Sequence, residues 1–166
     1  MVSISGGACD MLADHAADLG APLPALAPAT RAELAAILPD YATVQNPLDI
    51  TGAAVIDPAI FTRCIQAMSA DPSVGVVAVI NSLPWHADRR PWVGQVLADA
   101  IGAGAGRAGA PVICASQVMQ PITGYTRQVM AQANIPYAIP GLRHCVAALR
   151  NVAWWSQATR GAGEAV

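Results

Sequence analysis

The chain has 166 residues, enough for one domain with a single core flanked by helices. It is 54% hydrophobic and 12% charged, with a mean hydropathy of +0.42, yet no run approaches 18 consecutive strongly apolar residues, so no membrane span is expected. The net charge of −2, with nine arginines and no lysine, leaves no basic patch for nucleic acid and excludes a Walker-type lysine, a Schiff base and a Ser-Lys pair within the chain.

In chain order, Met1 leads into β-favouring residues without the basic n-region of a signal peptide. Val2 to Ser5 then meets Gly6-Gly7 and gives way to apolar residues at helical spacing (Met11, Leu12, Ala16, Leu19), which reads as strand, tight turn, helix. Glycines let the backbone bend and a ligand approach, and Ser5 can cap the helix. The first backbone N–H groups of a helix have no partner within it and lie at the positive end of its dipole, so this turn suits a phosphate or carboxylate. The alternative is a Ser/Gly helix start with no ligand.

Gly20 and Pro22 break the helix, and Leu23 to Leu26 is expected as a short second strand at a sheet edge, where its prolines are tolerable. Ala29 to Leu38 reads as a helix with Thr30 near its start and Glu33 three residues on, closed by Pro39. Tyr41 to Gly52 is expected to be a long loop. Asp57 and Pro58 open a helix that runs to Ala70. Val74 to Ile80 is a continuous β-branched run, the pattern of a central strand covered on both faces. It ends at Asn81-Ser82-Leu83-Pro84, and the loop to Pro91 holds Trp85, His86, Asp88, Arg89 and Arg90. A helix from Trp92 to Ile101, a strand from Pro111 to Ala115, a helix from Tyr125 to Ala133, a strand from Ile135 to Ala138 and a helix from Gly141 to about Thr159 complete the chain. Residues 1–160 are expected to form one domain and residues 161–166 a disordered tail.

Strands alternating with helices imply a parallel sheet with right-handed crossovers and helices on both faces. A flavodoxin-like three-layer α/β sandwich of strand order 2-1-3-4-5 fits best, because the first and third strands are the apolar ones. Ligands in such sheets bind beyond the carboxyl ends of the strands, which would set Ser5-Gly6-Gly7 beside Asn81-Ser82.

Four segments in order carry a family resemblance: Ser5 to Asp14; Leu26 to Leu38 with Asn46-Pro47-Leu48-Asp49-Ile50-Thr51-Gly52; Asp71-Pro72 running into Val74 to Ile80; and Asn134 to Tyr137 with the helix through Leu149. The set resembles the C-terminal ligase domain of the NDP-forming acyl-CoA synthetases, the superfamily of succinyl-CoA synthetase and ADP-forming acetyl-CoA synthetase. The resemblance implies that Ser5, Gly6, Gly7 and Ala8 cradle phosphate from a phosphohistidine or acyl phosphate. It implies CoA, and ATP or ADP with Mg, in the full enzyme but no cofactor held by this domain alone. It also implies partner CoA-binding and ATP-grasp domains or subunits, with the phosphorylated histidine in a Ser-His-Thr-Gly-type segment that this chain lacks. The isolated chain should then be inactive; a homo-oligomer is possible. A stand-alone, non-catalytic interaction module of the same fold is the alternative.

No catalytic residue is assigned within the chain. His15 and His144 read as helix-surface or packing residues. His86 is the histidine placed near the crevice, either touching a ligand or belonging to a solvated loop cluster. Asn46 and Asp49 match the family turn, and a side chain bonding its own loop explains them without a ligand. No set of His, Cys and carboxylates has metal spacing. Cys9, Cys64, Cys114 and Cys145 lack C-x-x-C spacing and read as free, mostly buried thiols of a cytoplasmic protein. Trp85, Trp92, Trp154 and Trp155 either pack inward or meet partner domains.

Overall fold

A computed structural model describes residues 1–87 and 91–163. The elements are β1 (Val2–Ser3), α1 (Gly6–Leu19), α2 (Pro28–Ile37), β2 (Leu48–Asp49), α3 (Ala53–Ile56), α4 (Ala59–Ala70), β3 (Val77–Ile80), α5 (Pro91–Ala105), β4 (Val112–Ala115), α6 (Gly124–Gln132), β5 (Ala138–Ile139) and α7 (Leu142–Gly163). The five strands are all parallel, in the order β2-β1-β3-β4-β5. This is the flavodoxin-like α/β arrangement expected from the alternating pattern.

Alternation along the strands divides the core into two layers. Val77 and Val79 of β3 face a cluster built with Leu34 of α2, Phe61, Ile65 and Met68 of α4, and Leu97 and Ile101 of α5. Ala78 and Ile80 face the other way, against Ala8, Leu12 and Ala16 of α1 and Leu142, Cys145 and Val146 of α7. All four residues of β3 are buried, as a strand covered on both faces requires. No helix among the described residues is long and apolar enough to cross a membrane.

Two local expectations are corrected. The edge strand is Leu48–Asp49, inside the segment read as a loop, and Leu23 to Leu26 is not a strand. Leu48 N and Ile50 N donate to Met1 O and Ser3 O at 2.8 Å each, with Leu48 and Ile50 fully buried. The proline-bearing segment instead bonds to side chains: Pro24 O accepts from Asn46 Nδ2, and Ala25 O accepts from the Ser73 hydroxyl. Proline withholds the donors a ladder needs, whereas Leu48 to Ile50 keeps them.

The second correction is at α2, which begins at Pro28 with no side-chain cap. Thr30 is buried and bonds Asp71 rather than the α2 backbone, and Glu33 is exposed. A capping box does occur at α6, where the Thr123 hydroxyl accepts from Thr126 N and the Thr126 hydroxyl accepts from Thr123 N. Helix α7 runs four residues past the expected end at Thr159, to Gly163. Residues 164–166 of the expected tail lie outside the described residues.

Candidate functional site

The start of α1 is built by two side chains at the carboxyl end of β1. Ser3 is fully buried, and its Oγ accepts from Ser5 N at 3.1 Å. Ser5 takes the extended N-cap conformation (φ −129°, ψ 115°), and its Oγ accepts from Ala8 N at 3.4 Å. Cys9 N donates to Ser5 O at 3.1 Å as the first intrahelical bond. Ala8 is buried and its amide is engaged by the cap. The amides of Gly6 and Gly7 have no acceptor among the described residues. Gly7 is exposed, and a Cβ there would meet nothing within 4 Å. A Cβ on Gly6 would stand 3.0 Å from Asp49 Oδ2, so the carboxylate has taken the space a side chain would need.

A cavity of about 310 Å³ opens beside this start, lined by Gly6, Cys9 and Asp10 of α1, Asp49 and Thr51 after β2, and the loop residues Tyr41, Ala42, Thr43 and Gln45. It lies toward β2, on the opposite side of β1 from β3. Asn81, Ser82 and His86 do not line it. Sequence reasoning missed Tyr41, Thr43 and Gln45; their signal is the polar run between Pro39 and Pro47.

The register Ser3↔Ile80 puts the Ser5 turn and Asn81-Ser82 along one edge of the sheet. The bonds of Asn81 and Ser82 run to β4 and the loop after it. Asn81 is buried; its N–H donates to Ala115 O and its carbonyl accepts from the Cys114 thiol at 3.7 Å. Ser82 is exposed, with its Oγ accepting from Gln117 N at 3.3 Å. His86 is exposed and stacks on Trp85, ring centroids 4.9 Å apart. Asp88, Arg89 and Arg90 of that loop, and the side chain of Trp92, lie outside the described residues.

Asn46 has a structural part: its Oδ1 accepts from the Met1 amine at 2.8 Å while Nδ2 donates to Pro24 O at 3.1 Å. Burial lowers that amine from 8.0 to about 6. Asp49 Oδ1 accepts from Thr51 N at 2.8 Å, as its loop reading implies, while Oδ2 has no donor among the described residues. Thr51 holds a left-handed φ of 62° and bonds on to Ala53 N. Burial, with Asp49 adding to it, pushes the Cys9 thiol up to about 12, so it is no nucleophile at neutral pH. His15 and His144 line a separate cavity of about 210 Å³ with Met11, Met119 and Gly141. Among the described residues no group of three or more His, Cys, Asp or Glu could hold a metal ion.

No family model matches the chain. One curated relative, trans-feruloyl-CoA synthase FCS1 of an unknown prokaryotic organism, is 37% identical over 82 residues, which are 48% of this chain and 12% of that protein. Among solved structures, the dinucleotide forming acetyl-coenzyme A synthetase 1 of Ca. Korarchaeum cryptofilum superposes in its apo form over 95% of this chain and 33% of its own, with a TM-score of 0.70 and 22% identity. The chain has the fold of about a third of that synthetase. The same synthetase in complex with phosphate and ADP gives a TM-score of 0.69 at 22% identity, covering 95% of this chain and 32% of that one. PH0766 of Pyrococcus horikoshii OT3 gives 0.69 at 20% identity, covering 90% and 33%. The chain thus spans about a third of each of these solved structures and about an eighth of the curated relative.

Proposed function

We propose that the chain is one domain of an NDP-forming acyl-CoA synthetase, an acid–thiol ligase, and that its α1 start stabilises the phosphohistidine or acyl-phosphate intermediate presented by another domain. The observation that carries this reading is the pair of Gly6 and Gly7 amides without acceptors, at the start of a Ser5-capped helix on a synthetase fold. Donors fixed there before the anion arrives favour a travelling phosphoryl group without any lysine. Ser5 holds the turn in shape and Ala8 N–H closes it, so Gly6 and Gly7 are the direct contacts.

The chain supplies no catalytic histidine, and no cofactor binds to it alone. CoA, and ATP or ADP with Mg, belong to the CoA-binding and ATP-grasp domains or subunits, in the cytoplasm where the four buried thiols stay reduced. The test is reconstitution. The chain alone, given acid, CoA and Mg-ATP, forms no acyl-CoA; with its partner domains it does, and Gly7→Glu, which puts a carboxylate where the phosphoryl group would sit, abolishes turnover. Turnover indifferent to Gly7→Glu contradicts the reading.

A second reading, the stand-alone interaction module, is favoured by the far half of α7, where Val152, Trp154 and Trp155 are 58%, 68% and 62% exposed. A chain that binds no partner domain and no phosphate would favour it.

A further inference from the structure

We propose that the chain forms a homodimer through the outward face of α7, two copies of the helix packing antiparallel about a two-fold axis at Asn151. The contact needs nothing from the start of α1. Leu142, Cys145 and Val146 turn one face of α7 onto the core, with Leu149 packed beside them. On the opposite face His144, Ala148, Asn151, Trp155 and Ala158 recur at spacings of 4, 3, 4 and 3, the period of a helix–helix seam. Trp154 and Trp155 are 68% and 62% exposed, so nothing among the described residues covers this seam where it is bulkiest.

The order of sizes along the seam selects a second copy as its occupant. Trp154 and Trp155 lie three and four residues after Asn151, and Ala148 and Ala147 lie three and four residues before it. A two-fold contact centred on Asn151 therefore sets each copy's indoles over the other copy's alanines, large against small at both ends. A parallel pairing would set tryptophan on tryptophan and alanine on alanine. Asn151 meets its own counterpart on the axis, where a single amide in a helix seam fixes register, and Arg150 orients it by holding its carbonyl at 2.7 Å. Burying the exposed parts of four indoles with the surfaces that receive them removes about 1,000 Å² in total, the threshold of a specific interface, so the association should be micromolar. Charge agrees. Helix α7 carries Arg143 and Arg150 on one flank and no carboxylate, while α1 carries the exposed Asp10, Asp14 and Asp18 and no lysine or arginine. Arg143 reaches Asp18 at 4.0 Å, so this flank is the α1 side. The two-fold axis brings both such flanks to one side of the seam, where the α1 carboxylates offset the two Arg150 charges.

The experiment is sedimentation equilibrium of the 166-residue chain from below to well above micromolar concentration. The wild type should pass from monomer to dimer. Trp155→Ala should weaken association about tenfold or more, as loss of a central aromatic anchor does. Ala148→Glu, which sets a charge under the other copy's indole, should weaken it as much. Register is read by cysteine pairing, since the four native thiols are buried. Asn151→Cys should oxidise to a covalent dimer, whereas Ala158→Cys, seven residues from the axis and so about 20 Å from its counterpart, should not. The two cysteine variants decide the register whether or not Trp155→Ala folds. A wild type that stays monomeric throughout overturns the proposal and leaves the tryptophans to a different partner. Association indifferent to both Trp155→Ala and Ala148→Glu, or coupling of Ala158→Cys as fast as that of Asn151→Cys, overturns it as well.

Discussion

Asp71 sits where α4 ends, and replacing it with asparagine removes one charge while leaving shape almost unchanged. Its Oδ2 accepts from Ala27 N at 2.8 Å, its Oδ1 accepts from Ser73 N at 2.8 Å and from the Ser73 hydroxyl, and Thr30 bonds it from α2. Burial alone raises a carboxyl pKa; here the four hydrogen bonds outweigh it and hold Asp71 at about 2, against an ordinary 3.8. A depressed pKa means that ionised Asp71 stabilises the fold above about pH 4, and that this contribution is lost as pH falls through about 2. A lowering of that size corresponds to about 2 kcal/mol. Only 2% of the residue is exposed, so water screens the interaction little; asparagine keeps part of the hydrogen bonding, and about 1–2 kcal/mol is the expected effect. Asp71→Asn should therefore melt roughly 2–8 °C below wild type at neutral pH. The gap measured by urea unfolding should close toward about pH 2 as the wild-type carboxyl takes up its proton. A gap that stays constant across this range, or a variant as stable as wild type at neutral pH, would refute the assignment of the charge.

A Cβ on Gly102 of α5 would fall 1.7 Å from Ala133 O and 2.8 Å from Ala133 C, both backbone atoms at the end of α6. Gly102→Ala should lose about 1–3 kcal/mol despite a helix-propensity gain near 1 kcal/mol, whereas Gly7→Ala, with open space around it, should change stability by less than about 1 kcal/mol. A neutral Gly102→Ala in thermal melts would mean that α5 and α6 do not approach so closely. Burial pushes the thiols of Cys9, Cys64 and Cys114 up to about 12 and that of Cys145 to about 11. A disulfide reagent at about pH 8 should therefore modify none of the four within minutes and all four after urea. A rapid stoichiometric reaction of the native protein would place one of them outside the core.

The sheet order was legible because β3 announces itself: a β-branched run buried on both faces admits little besides a central strand. The turn before α1 was equally readable, since Ser-Gly-Gly followed by helical spacing leaves few other conformations. The edge strand was not. Leu48–Asp49 is two residues long and is defined by backbone bonds to Met1 and Ser3, a tertiary fact with no periodicity of its own, while the apolar letters of Leu23 to Leu26 attracted the assignment. Thr30 misled for a related reason: the spacing to Glu33 imitates a capping box, but Asp71, 41 positions away, claims the hydroxyl. In the candidate site, the Ser5-capped start of α1 at Gly6 and Gly7 is a local feature that the sequence spells out. The wall formed by Tyr41, Thr43 and Gln45 depends on how the loop folds over α1, and only the three-dimensional structure brings it there.

The account turns on whether the amides of Gly6 and Gly7 receive an anion, and a backbone-amide titration with inorganic phosphate measures this directly. The account predicts saturable shifts centred on Gly6 and Gly7, and their loss in Gly7→Glu, which should itself fold at least as stably because its carboxylate sits at the positive end of α1. Shifts centred elsewhere, or a Gly7→Glu protein that binds phosphate as well as wild type, would contradict it.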